Sequence, residues 1–147
     1  MYMRAVIQRV TEGSVTVEGE VIGKIGHGLL VLLAIHVGDT DDMIEKMAGK
    51  IARLRVFEDE EGKMSRSVQD TNGAVLVISQ FTLYGDVRKG NRPGFTDSAR
   101  PEKAEPMYES VVKAIELSGL RVQTGRFASD MKVALVNDGP VTIIIDL

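Results

Sequence analysis

Residues 74–86 read AVLVISQFTLYGD, and within them Val75, Leu76, Val77 and Ile78 run without a charge. The turn residues Asp70, Thr71, Asn72 and Gly73 precede this run. A short apolar stretch bounded in this way predicts a core strand over residues 74–83. A chain that owns such a strand has to cover both of its faces. The stretch then changes character in one step. Ser79, Gln80 and Thr82 set three uncharged hydrogen-bonding side chains beside Phe81 and Leu83. A rigid strand end carrying such groups suits the binding of a polar substrate. Polar residues that merely close a core strand are the competing reading.

The rest of the sequence supplies the cover. Residues 3–10 read as a strand, and residues 14–18 alternate with period two before a Gly19-Glu20 turn into residues 21–25, which predicts a hairpin. Residues 29–37 (LLVLLAIHV) predict a central strand buried on both faces. A helix is expected over residues 40–55, with Met43, Ile44, Met47, Ile51 and Leu54 on one face and Asp41 and Asp42 in its first turn. A second is expected over residues 102–118, stopped by Gly119. Pro106 removes a donor and crowds the preceding turn, so regular helix should begin near Ala104 or be irregular before Met107. Residues 120–124, 131–136 and 141–147 read as strands, the last two joined by a tight connection at residues 137–140. The sum is one α+β domain over residues 1–147, a mostly antiparallel, barrel-like sheet with two amphipathic helices. The final β-branched strand would be a hazardous open edge unless paired, which favours a homodimer.

Composition narrows the function. With no cysteine, disulfides and thiolate metal sites are excluded. No apolar run approaches the roughly 20 residues that cross a membrane, and the N-terminus has no cleavable signal pattern, so a cytoplasmic location and no membrane partner are expected. A net charge of −3 argues against a DNA-coating protein. The two histidines, His27 and His36, stand in or beside apolar strands without a serine and aspartate placed around them. The acidic turn at residues 59–62 lacks the spacing of a calcium loop, and no metal or cofactor is expected.

Two further segments stand out. Residues 137–142 read NDGPVT, and a Gly-Pro step in a tight connection is a candidate for a cis peptide. Such a turn can offer a small ligand backbone carbonyls and a hard wall; a plain turn is the alternative. Residues 87–101 form a long loop with two glycines and two prolines. Between Arg88 and Lys103 lie five basic residues (Arg88, Lys89, Arg92, Arg100, Lys103) against Asp97 and Glu102. That segment could hold phosphates or be a solvated loop.

Taken together, these residues resemble one family. Ser79-Gln80-Phe81-Thr82-Leu83 matches the SQxTL signature of the D-aminoacyl-tRNA deacylases, and Asn137-Asp138-Gly139-Pro140-Val141-Thr142 matches their NxGPxT signature. The likeness extends to Ile7-Gln8-Arg9-Val10, Gly62-Lys63-Met64, Arg92-Pro93 and Thr124-Gly125-Arg126-Phe127, in matching order. It implies a cytoplasmic homodimer that hydrolyses the ester joining a D-amino acid, or glycine mischarged on the alanine tRNA, to aminoacyl-tRNA. It implies active sites at the dimer interface, with a cis Gly139-Pro140 of one subunit reaching into the partner's pocket as a chirality filter. Arg9 resembles the residue that orients this turn, Met131 one that lines the pocket and Ala99 the small residue beside the amino acid. Phe81 and Asn137 join them as substrate-binding candidates.

Ser79, Gln80 and Thr82 are the catalytic candidates. Thr82 resembles a threonine proposed as nucleophile, but its motif contains no base to activate it. The alternative that the resemblance implies is substrate assistance: the 2′-OH of the terminal adenosine aids attack, and backbone amides near Phe81 and Thr82 stabilise the oxyanion. Tyr84-Gly85-Asp86 departs from the pattern, where smaller residues are frequent. A non-catalytic RNA-binding dimer is the rival function.

Overall fold

The computed structural model describes residues 2–147. In chain order its strands are β1 (Arg4–Val17), β2 (Glu20–Ile25), β3 (Gly28–Ala34), β4 (Phe57–Glu58), β5 (Met64–Arg66), β6 (Ala74–Ser79), β7 (Arg121–Thr124) and β8 (Lys132–Asp146). Helix α1 (Asp42–Arg53) follows β3, and α2 (Pro101–Leu117) precedes β7; a 3-10 helix, Phe81–Tyr84, follows β6. The main sheet runs β2-β1-β3-β6-β7, with β8 on the other side of β1. β6 is parallel to β3 and β7, and β1 is antiparallel to β2, β3 and β8. The architecture is the expected α+β class, mostly antiparallel and curled towards a barrel.

Alternation along the central strands explains the two-sided core. Leu29, Val31 and Leu33 of β3 and Val75 and Val77 of β6 face the helices, where Met47, Ile51, Val111 and Ile115 are fully buried. Leu30, Leu76 and Ile78 point the other way, into a second cluster with Val10, Val15 and Val17. Each such side chain contributes about 1.5–3 kcal/mol by leaving water. β1 serves both clusters: Ala5 and Ile7 belong to the first, Val15 and Val17 to the second. Both pairs are odd-numbered, so an unbroken strand would put them on one face. Bulges against β8 around Val10 shift the phase and send them to opposite faces.

Several elements differ from their expected bounds. The two strands expected at residues 3–10 and 14–18 are one strand, because a bulge takes up Thr11 while Val10, Glu12 and Gly13 stay paired to β8. The last two strands are likewise the single strand β8, so residues 137–140 form an excursion from a strand, not a connection that reverses it. The expected strand over residues 74–83 stops at Ser79. Its partner β3 pairs only as far as Leu33 with Ser79, and β7 ends opposite Val77, so the chain has no ladder to continue. The strand expected at residues 29–37 ends at Ala34. Helix α1 is shorter than residues 40–55: Met43 and Ile44 donate to Thr40 and Asp41 in a tight first turn, and Leu54 is already extended. Helix α2 runs through Pro106 from Pro101 without the expected irregularity. Pro106 and Glu102, the carbonyl it leaves unpaired one turn back, are both exposed, so water replaces the lost bond.

Candidate functional site

The end of β6 opens into a cleft of about 640 Å³. Ala34 and Ile35 contribute from the end of β3, Ser79 from the last position of β6, Gln80 and Phe81 from the turn beyond it, Ala99 from the segment before α2, Ala104 from the first turn of α2, and residues 127–131 from the loop before β8. Four alanines on this lining (Ala34, Ala99, Ala104 and Ala128) leave space that larger side chains would fill. Asp130 is the one charged side chain on it among the described residues, and it turns to Lys132 at 3.2 Å. The cleft is therefore apolar with a few uncharged polar groups, suited to orienting a small polar ligand.

The turn that carries Gln80, Phe81 and Thr82 is fixed from beneath. Gln80 N donates to Leu33 O at 2.8 Å, and the 3-10 helix follows at once. Its first amides have no acceptor one turn back, and among the described residues no protein group accepts from Phe81 N or Thr82 N. Arg4 Nη1 donates to Leu83 O at 3.0 Å while its Nε pairs with Asp146 at 2.8 Å. The Tyr84 hydroxyl directs its single proton between the carbonyls of Tyr2 and Ala34. Burial foremost, with the nearby Asp39 carboxylate, pushes the Tyr84 phenol above its ordinary range, so it stays a donor. Tyr84, the departure from the family pattern, is thus an inward anchor and does not line the cleft.

Thr82 is exposed and does not line the cleft. Its hydroxyl is hydrogen-bonded to the Gln80 side-chain amide, a neutral group that cannot take a proton. Neither histidine approaches it. His27 bonds Thr71 at 2.9 Å, and His36 accepts from Gly38 N at 2.9 Å with its ring set edge-on to Tyr2 and Tyr84.

The second motif lies on β8. Val10 pairs with Asn137 and Gln8 with Thr142, so residues 138–141 all stand opposite Arg9 alone. The guanidinium of Arg9 fills the place of the missing ladder. It is 6% exposed, donates to Asp138 O at 3.0 Å and Val56 O at 2.7 Å, and lies 3.7 Å from Glu58. Asn137 closes the excursion: its side-chain oxygen accepts from Val141 N at 3.0 Å and its amide donates to Thr142 Oγ1 at 3.1 Å. Gly139 and Pro140 are joined by a cis peptide bond and are exposed. Gly139 has φ +127°, a conformation that L side chains rarely adopt, and a Cβ there would come within 2.9 Å of both Arg9 Nη2 and Val141 Cγ2.

Of the ten candidates, Ser79, Gln80, Phe81, Ala99 and Met131 meet at the cleft. Arg9, Asn137, Gly139 and Pro140 gather at the β8 excursion, which lines no part of it, and Thr82 stands outside both. Sequence reasoning missed Arg4 as an anchor; its one signal is a cation inside an otherwise apolar strand start. It also missed the lining loop at residues 127–130, where Ala128 takes φ +58°. Among the described residues, no group of three or more histidine, aspartate or glutamate side chains could hold a metal, and no helix is long and apolar enough to cross a membrane.

This fold recurs in solved structures. The structure of a c-Myc DNA unwinding element binding protein superposes with a TM-score of 0.91 at 46% identity, covering 98% of each chain. A probable eukaryotic D-amino acid tRNA deacylase superposes with a TM-score of 0.86 at 18% identity over the whole of both chains, a likeness of fold. The D-Tyr-tRNA(Tyr) deacylase family model matches residues 6–146, and the chain belongs to that family. Among curated relatives, the D-aminoacyl-tRNA deacylase of Symbiobacterium thermophilum is 59% identical over 99% of this chain and 97% of its own. That of Halalkalibacterium halodurans is 55% identical over 98% and 99%.

Proposed function

We propose that this protein is a cytoplasmic hydrolase that cleaves the ester of D-aminoacyl-tRNA as a homodimer, each site made from two chains. The observation that carries the reading is a separation. The cleft holds one motif, while the other motif is a rigid, exposed excursion on an edge strand of the same chain. Neither is a complete site. Among the described residues β8 has no strand on its outer side, and Val136 and Ile144 are exposed along it. A second copy at this edge would cover those residues and bring its Gly139-Pro140 to the open cleft.

In that arrangement the aminoacyl group lies in the cleft beside Ala99 and Met131. Gly139 and Pro140 of the partner, held by Arg9 and Asn137 of that same partner, form a wall of backbone. The hydrogen of a D-residue faces this wall; the side chain of an L-residue would collide with it. Glycine presents no side chain and passes, so glycine carried on the alanine tRNA is a second substrate. Water attacks the ester carbonyl carbon with help from the 2′-OH of the terminal adenosine, which accepts a proton from the water as it passes its own to the departing 3′ oxygen. The oxyanion that forms is received by the free amides of Phe81 and Thr82. Collapse breaks the bond to the 3′ oxygen and releases the D-amino acid and a tRNA with its 3′-OH restored. Ser79 and Gln80 orient the substrate, and Thr82 supplies its amide, not its hydroxyl.

The test is release of free amino acid from D-tyrosyl-tRNA and L-tyrosyl-tRNA. Release from the D form only is expected; equal release from both would overturn the chiral reading. A second reading, a nucleic-acid-binding dimer without catalysis, draws on the basic loop and on the likeness to the 46%-identical DNA unwinding element binding protein. It predicts binding of tRNA without release from either form.

A further inference from the structure

The structure divides the basic loop into two groups. Arg88 is committed to Asp86, with its Nη2 at 2.8 Å and its Nε at 2.9 Å, and the pair holds the Asp86 carboxyl down to about 2. Arg100 lies 3.5 Å from Glu102, and Lys103 donates to Val37 O at 2.7 Å. Lys89 and Arg92 are exposed and, among the described residues, have no carboxylate partner. They sit on a short excursion pinned at its base by paired Asp86–Gly94 backbone bonds of 2.8 and 2.9 Å.

An aromatic step joins that excursion to the cleft. Phe81 lines the cleft and is 55% exposed. Phe95, 37% exposed, meets it edge-on with ring centroids 5.2 Å apart, and Phe95 itself is not on the lining. It is held against Gly85, where an added Cβ would lie 3.3 Å from its ring. Moving outward from the cleft, the surface therefore offers one aromatic ring, then a second at the foot of the excursion that carries the two unpaired cations. Stacking faces flanked by free lysine and arginine bind single-stranded nucleic acid, whose bases stack and whose phosphates pair.

We infer that Phe95, Lys89 and Arg92 form a binding site for the single-stranded 3′ segment of tRNA, one nucleotide and more inward from the esterified adenosine. Phe95 stacks a base, and the two cations take the adjoining phosphates. This rests on the deacylase reading for the position of the adenosine, since a strand leaving the cleft past Phe81 meets Phe95 next.

The test is the affinity of uncharged tRNA as a function of salt, with intact tRNA and with tRNA lacking its single-stranded 3′ end. The double variant K89A/R92A should flatten the slope of log affinity against log salt by about 1.4, two single-strand phosphate contacts. F95A should weaken binding about fivefold or more with the slope unchanged. Both effects should vanish with the truncated tRNA, while K50A, a lysine on α1, changes neither. An unchanged slope in K89A/R92A, or equal losses with truncated tRNA, overturns the inference. Release from D-tyrosyl-tRNA by the wild type, measured in parallel, separates the two readings. Binding as described without release contradicts the deacylase reading and supports the surface. Release with variants that bind like wild type contradicts the surface alone.

Discussion

The two motifs of this chain are opposite in construction. Residues 79–84 end a strand that is buried on both faces, and they are anchored inward by Arg4, Tyr84 and the carbonyl of Leu33. Residues 137–142 leave an edge strand and are held from one side by Arg9, with Gly139 and Pro140 turned to solvent. The first region is a receptacle fixed to its own core. The second is a rigid projection held by its own chain on one side and open to solvent on the other. The lesson is that rigidity alone does not reveal a site: the projection is braced as the cleft is, and its exposure to solvent is what the two-chain proposal rests on.

Breaking the brace of the projection should have the largest effect. Arg9→Met leaves the carbonyls of Asp138 and Val56 without their donor in a buried setting, at a cost of about 3 kcal/mol in urea unfolding. A loss under about 1 kcal/mol would show that the guanidinium is dispensable. Next comes the projection itself. In Gly139→Ala a Cβ is forced into the left-handed region against Arg9 and Val141, and kcat/KM on D-tyrosyl-tRNA should fall about a hundredfold for a displacement near 1 Å. Intact rate and intact D-over-L selection would sink the filter.

Changes on the cleft side should be milder, because several anchors share the load. Tyr84→Phe removes a hydroxyl that serves two carbonyls, and should cost about 1–2 kcal/mol of stability with a several-fold drop in kcat. Thr82→Ala should be the mildest, leaving activity within about twofold of wild type, since the proposed role lies in the backbone amide. Complete loss of turnover with tRNA binding intact would instead make the hydroxyl the working group.

The same contrast explains what the sequence made legible. The fold class, both helices and the central strands follow from periodicity, because alternation and the three-to-four spacing report burial directly. Both motifs were visible as anomalies, polar groups ending an apolar run and a Gly-Pro step between β-branched segments. What was not legible was continuity. Residues 11–13 and 137–140 read as breaks because local signals cannot show that a neighbouring strand carries the pairing across a bulge. The end of β6 at Ser79 is equally non-local, set by where β3 and β7 run out. Arg4 and Tyr84 went unnoticed as anchors because their partners are main-chain carbonyls distant in sequence, which no composition or spacing records.

The central claim, that each site joins the cleft of one chain to the projection of another, is tested most directly by subunit complementation. One variant carries Gly139→Ala and the other Ser79→Tyr, which fills the cleft; each alone should be inactive on D-tyrosyl-tRNA. After dissociation and remixing in equal amounts, half of the dimers are mixed and each holds one site free of both changes, so about a quarter of wild-type activity should return. If both motifs served one chain's own site, every site in the mixture would carry a lesion, and no recovery after demonstrated subunit exchange would contradict the account.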